Sequence, residues 1–248
     1  GLNYDMDLLA MQEKAKQYDL SSLLAERGGL LRGDSVYRHL PGTEKEARAI
    51  ASSLRAGHWD VSLLSGNNGT EESFLRLHGR APRLLHIATH GFYYTPLEAA
   101  KVNYLKDYDD AMLLSGLVFS GCNHAWLGKP LPGGVLSGIL QAEDIARMDL
   151  RGTEMVVLSA CQTGQGRATA EGLYGLQRAF KKAGVGTIVM SLWAVKDKAT
   201  QDFMTAFYEH LLKNGAQSDK RKAFEAAKKV VREKYKEPYY WAAFVMLD

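Results

Sequence analysis

Two residues of this chain have the type and the setting to do chemistry. His90 sits in "PRLLHIATHGF" and Cys161 in "VVLSACQTGQG". In each stretch a compact apolar run stops just before a reactive side chain, and a glycine follows within three residues. A cysteine attacks as thiolate, which is scarce at neutral pH unless something takes its proton. A histidine within reach can take that proton and return it to a leaving amine. The attack also creates an oxyanion, which needs fixed donors. Gly91 has no side chain to block its N–H, and the Cys161 N–H lies at a strand-to-loop turn. These two amides are the candidate oxyanion hole. Ser159, Ala160, Gly164 and Gly166 are small enough to let a substrate backbone come close.

The elements that must hold this pair are legible as apolar patterns. Leu84–Thr89, bounded by Pro82 and Gly91, reads as a buried strand, and so do Met155–Ala160 and Thr187–Leu192. Thr43 and Glu46 have capping-box spacing, and Ala47, Ile50, Ala51 and Leu54 then recur at helical spacing up to Gly57. Further helices are expected over Glu71–His78, "LQAEDIARMD", Glu171–Ala183, Asp197–Lys213 and Ser218–Tyr235. "YYWAAFVML" reads as a last strand, and Phe92–Asp110 as a long surface loop. Alternating strands and helices predict an α/β fold built on a mostly parallel sheet with helices on both faces. In such sheets the functional groups lie beyond the carboxyl ends of the strands. His90 and Cys161 both fall there.

Composition limits the alternatives. The chain has 248 residues, 46% apolar and 24% charged, enough for one large domain with its own core. Two cysteines form no disulfide framework and match no zinc spacing, so a reducing cytosol is expected. The net charge of +3 marks neither a nucleic-acid nor a membrane surface, and no apolar run is long enough to span a bilayer. The first residues lack a signal-peptide pattern and an initiator Met, so a fragment of a longer chain with an upstream region is expected. His86 and His90 have HxxxH spacing, but four strand residues span about 13 Å, too far for one ion. "GQGRAT" leaves the dinucleotide pattern incomplete at Thr169. The run "KRKAFEAAKKVVREK" reads as a solvated helix face.

The same stretches, with "YRHLPGTEKEARAIA", "LSGLVFSGCN", "GILQAEDIARMDLRGTEMVVLSACQTG", "EGLYGLQRAFKKAGVGTIVMSLWAVKDKAT" and "PYYWAAFVMLD", resemble the blocks of CHAT-domain proteins in family order. These are caspase-like cysteine peptidases of clan CD. The resemblance covers essentially the whole chain. It implies a caspase-like three-layer α/β/α sandwich and a single domain over residues 1–248. It also implies a Cys161–His90 dyad, with Gly91 and Cys161 amides as the oxyanion hole. It implies no cofactor and no metal, a protein or peptide substrate, and a cytoplasmic setting. Family members are often fused to TPR repeats, and some are switched on by partner proteins. Gln162 departs from the Glu frequent after the nucleophile. Cys122 stands where many members have Ala.

For the pocket that reads the residue before the scissile bond, the resemblance points to "VMSLWAVKD". Trp193 is the expected apolar wall, and Asp197 the expected base, where a carboxylate would favour Arg or Lys. Asp197 is also a good N-cap for the helix that follows. Glu143 and Asp144 form a second acidic choice, or else complement the dipole of a short helix. Other readings stay open for the pair itself. A cysteine at a strand end can be a small core hydrophobe, and a histidine there can be structural. A catalytically silent scaffold that binds partners through its groove is the alternative to a peptidase.

Overall fold

Val156 and Val157 are wholly buried, and their side chains enter different cores. That alternation explains the unbroken apolar run of β5 (Met155–Leu158): a strand covered on both faces has no polar side. The computed structural model describes residues 1–20, 36–94, 111–159, 170–193, 195–213 and 219–248, without the side chains of 170–173 and 197.

β5 is flanked in parallel by β1 (Leu84–Ile87) and β6 (Thr187–Ser191), and β7 (Phe244–Leu247) closes the sheet antiparallel to β6. On one face α2 (Pro41–Ala56), α7 (Asp197–Leu212) and α8 (Lys220–Tyr235) pack on Met155, Val157, Val189, Phe244 and Met246. On the other, Leu176, Ala179 and Phe180 of α6 (Ala170–Lys182) pack on Val156, Leu158, Ile188 and Met190. The result is the expected α/β/α sandwich around a mostly parallel sheet. A second, antiparallel sheet of β2 (Gly91–Tyr93), β3 (Ser115–Val118) and β4 (Ile139–Gln141) starts directly after His90.

Short elements complete the frame. They are α1 (Leu8–Ala15), α3 (Glu71–Leu75), α4 (Cys122–Trp126), α5 (Ala142–Ala146) and α9 (Pro238–Trp241).

Several local expectations change. Gly91–Tyr93 is a strand rather than the start of a loop, because it pairs with β3 and buries Phe92 completely. Three residues are too few for an alternating pattern to show. Residues 95–110 of that expected loop lie outside the described residues. β4 occupies the start of the stretch read as one helix, so α5 begins only at Ala142. Pro238 opens a helical turn, where its fixed φ fits, and the final strand starts at Phe244.

The capping box does not form. α2 starts at Pro41, two residues before Thr43, whose hydroxyl donates back to the Leu40 carbonyl at 2.8 Å. Glu46 turns inward instead. Its Oε1 accepts from Nε2 of His86 at 3.0 Å, and the other ring nitrogen of His86 lies 3.0 Å from the Tyr208 hydroxyl. Burial holds the Tyr208 phenol well above its ordinary pKa, so it stays a donor. The chain Tyr208 to His86 to Glu46 thus satisfies both imidazole nitrogens and ties α7, β1 and α2 together.

Phe203 is completely buried in the aromatic layer between α7 and the sheet. Phe203→Ala is expected to cost about 3–5 kcal/mol, read as a lower urea midpoint with an unchanged slope.

Candidate active site

Ile87 pairs with Leu158 in the parallel register, and the Ser159 N–H donates to the Ile87 carbonyl at 2.9 Å. Adjacent strands therefore end level. Three residues beyond these paired ends the sequence has His90 after β1 and Cys161 after β5. Trp193 follows β6, the next strand along the same edge, by two residues.

His90 is 3% exposed and packs against the rings of Tyr4 and Tyr37 at centroid distances of 5.1 and 5.3 Å. Its Nε2 lies 2.7 Å from the carbonyl oxygen of Arg38. A carbonyl only accepts, so Nε2 carries the ring proton. In the neutral ring Nδ1 is then the basic nitrogen. Burial pushes the imidazole below its ordinary pKa of 6.5, and the Arg38 bond opposes this in part by favouring the charged ring. His90 is therefore a neutral base near pH 7.

The loop before it is braced as well. The Thr89 hydroxyl donates to the Val118 carbonyl at 2.5 Å, and the Tyr4 hydroxyl donates to Thr89 Oγ1 at 3.0 Å. Burial raises the Tyr4 phenol to about 12, so it keeps its proton.

The Gly91 N–H takes no part in the pairing of β2 with β3. The Val118 N–H donates to the His90 carbonyl and the Tyr94 N–H to the Leu114 carbonyl. Ladder bonds alternate along an antiparallel pair, so the intervening Gly91 N–H points away from β3.

Other candidates are more scattered. Cys161 and Gln162 lie outside the described residues, as do Ala160, Gly164 and Gly166. Trp193 is half-buried and donates its Nε1–H to the Tyr239 carbonyl at 2.9 Å. Asp197 is the first residue of α7, after the N-cap Lys196, and its side chain lies outside the described ones. Glu143 and Asp144 open α5, and β4 enters that turn from its Gln141 end. His90 lies beside the other end of the small sheet, where Val118 pairs with Ile139. Glu143 also lies 3.5 Å from Arg147. Sequence reasoning missed Arg38, Tyr4 and Tyr37. A main-chain carbonyl leaves no side-chain signal, and the two tyrosines show no pattern.

The model of the family described as "CHAT domain" matches residues 7–248. The chain belongs to the CHAT-domain family. CHAT domains are a caspase-like, peptidase-related family, and the sandwich described above fits that class. Mouse (Mus musculus) Tetratricopeptide repeat protein 28 is 40% identical over 111 residues, 44% of this chain. The human (Homo sapiens) protein of that name is 35% identical over 111 residues. The matched segment spans only 4% of the length of either relative. Among the described residues no helix is long and apolar enough to cross a membrane, and no cluster of His, Cys, Asp and Glu could hold a metal ion.

Cys122 is fully buried, and burial holds its thiol well above the ordinary value. Iodoacetamide should leave Cys122 unmodified in the native CHAT domain and alkylate it on unfolding, as read by peptide mass spectrometry. For His90, a folded-state pKa below the ordinary 6.5 means the unfolded chain binds more proton at this site. The His90 contribution to stability should be complete above pH 6.5 and fall as pH drops through the depressed value. His90→Gln should remove that part of the slope in urea titrations across this range.

Proposed function

We propose that this CHAT domain is a cysteine endopeptidase with Cys161 as nucleophile and His90 as general base and then acid. The observation that carries the reading is the hydrogen bond from His90 to the Arg38 carbonyl, which leaves Nδ1 basic at the carboxyl edge of the sheet. Chain geometry supports the pairing. Cys161 is two residues after Ser159, which is bonded to the end of β1, and two residues of chain reach at most about 7 Å.

The thiol proton passes to Nδ1 as sulfur attacks the scissile carbonyl carbon. The N–H groups of Gly91 and Cys161 hold the resulting oxyanion. Collapse breaks the C–N bond, and Nδ1–H protonates the departing amine. A thioester remains. Water then loses a proton to Nδ1 and attacks the thioester, releasing the carboxylate and restoring the thiol. No metal or organic cofactor enters this sequence.

The substrate is a specific protein, cut after a basic residue. Asp197 supplies the carboxylate at the pocket base, Trp193 the wall, and Gln162 lines the approach. Glu143 and Asp144 are the alternative acidic pair. The domain occupies residues 1–248 as one unit of a longer cytoplasmic chain, regulated by an upstream repeat region or an activator protein. The relatives named for tetratricopeptide repeats agree with that setting. A second reading, a silent scaffold that binds partners through its groove, is favoured by the near-complete burial of His90.

A thiol-reactive peptide probe and a peptide-library cleavage profile separate the two. Cys161→Ala should abolish cleavage, and His90→Ala should lower kcat/KM by about 10²–10⁴-fold. Asp197→Ala should erase the preference for Arg and Lys. If Cys161 reacts no faster than Cys122 and is indifferent to His90→Ala, the scaffold reading stands instead.

A further inference from the structure

We infer that Asn123 is a positioning residue for His90: its buried amide clamps the backbone of Tyr37, so that the next carbonyl, that of Arg38, meets Nε2 of the imidazole. Asn123 is the second residue of α4 and 3% exposed. Its Oδ1 accepts from the Tyr37 N–H at 2.8 Å, and its Nδ2 donates to the Tyr37 carbonyl at 3.0 Å. The same Nδ2 donates to Asp5 Oδ1 at 2.7 Å. The direction of the amide is forced. A main-chain N–H only donates, while a carbonyl and a carboxylate only accept, so oxygen and nitrogen cannot be exchanged.

This grip takes both polar groups of one residue, as a neighbouring strand would. It is needed because residues 36–40 belong to no helix or strand. Beyond the amide, Tyr37 is held by its ring, packed 4.9 Å from the Trp126 ring and against His90. Ring packing resists translation but leaves the peptide free to rotate. The two hydrogen bonds remove that freedom one residue before the carbonyl that selects the His90 tautomer. The charge on Asp5 strengthens the third bond, and the Asn123 N–H donates to the Tyr4 carbonyl at 3.2 Å. The first residues of the domain, the segment before α2 and the imidazole therefore share one anchor.

The inference deepens the peptidase reading in its effect on thiol chemistry, while its effect on the imidazole stands independently. The test uses the full chain with ¹⁵N-labelled histidine. Ring ¹⁵N shifts should show the Nε2–H form of His90 in the wild type near neutral pH, and a mixture of tautomers in Asn123→Ala. The rate of Cys161 labelling by the peptide probe should fall about 10–100-fold in the same variant, the range expected for a small misplacement of a catalytic group. Asn123→Asp combined with Asp5→Asn, which keeps the acceptor for Tyr37, removes the Asn123 donors and avoids two facing carboxylates, should fall between. Asp5→Asn, which leaves the clamp on Tyr37 in place, should keep the wild-type tautomer. A folded Asn123→Ala variant with the wild-type tautomer would overturn the assignment. So would failure of both the Ala and Asp variants to fold, which would make Asn123 a folding residue. If the wild type shows no His90-dependent labelling at Cys161, the peptidase reading fails, and the tautomer result still decides the role of Asn123.

Discussion

Imidazole has two nitrogens, and a fold that buries it uncharged must decide which of them keeps the proton. Here the Arg38 carbonyl, 2.7 Å from Nε2, makes that decision. A carboxylate in the same place would also orient the ring, but it would stabilise the charged form strongly. A neutral carbonyl orients at a smaller electrostatic cost, and burial beneath Tyr4 and Tyr37 keeps the ring uncharged. The opposing influences of burial and hydrogen bond leave a base that is neutral near pH 7 and still able to hold a proton briefly.

The carbonyl can serve only if the segment that carries it stays registered against β1. Two polar contacts join these segments. His86 meets Glu46 inside the helix–sheet layer, and His90 meets Arg38 at the sheet edge. The chain runs from His86 in β1 on to His90 while the partner segment runs back from Glu46 to Arg38, so the contacts resemble two rungs between antiparallel rails. Sliding α2 by one turn would strand a carboxylate in an apolar layer, which is costly. The buried Glu46 acts as a gauge for the position of the helix, and Asn123 fixes the last few residues beyond it.

What could be read from the sequence followed the strength of local patterns. The runs Met155–Leu158 and Thr187–Ser191 are buried throughout because β5 and β6 are covered on both faces, and with the run before His90 they mark the parallel strands and their carboxyl edge. β2 was invisible, since Gly91, Phe92 and Tyr93 are too few to show a period. The capping-box spacing of Thr43 and Glu46 was misleading, because the tertiary partner His86 outcompeted a local cap. Arg38 contributes only its main chain, which any residue would supply. Asn123 carries no motif, and its role depends on a neighbour 86 positions away in sequence.

Tyr4 lies before the residues that match the family and still shapes the surroundings of His90. The family match opens at residue 7, yet the Tyr4 ring lies against His90 and its hydroxyl braces Thr89. A boundary drawn from family similarity would discard part of the imidazole's roof. It would let solvent reach the ring from one side and move its affinity for protons back toward that of free histidine. Packing thus reaches beyond the matched residues, and what lies there bears directly on the His90 imidazole.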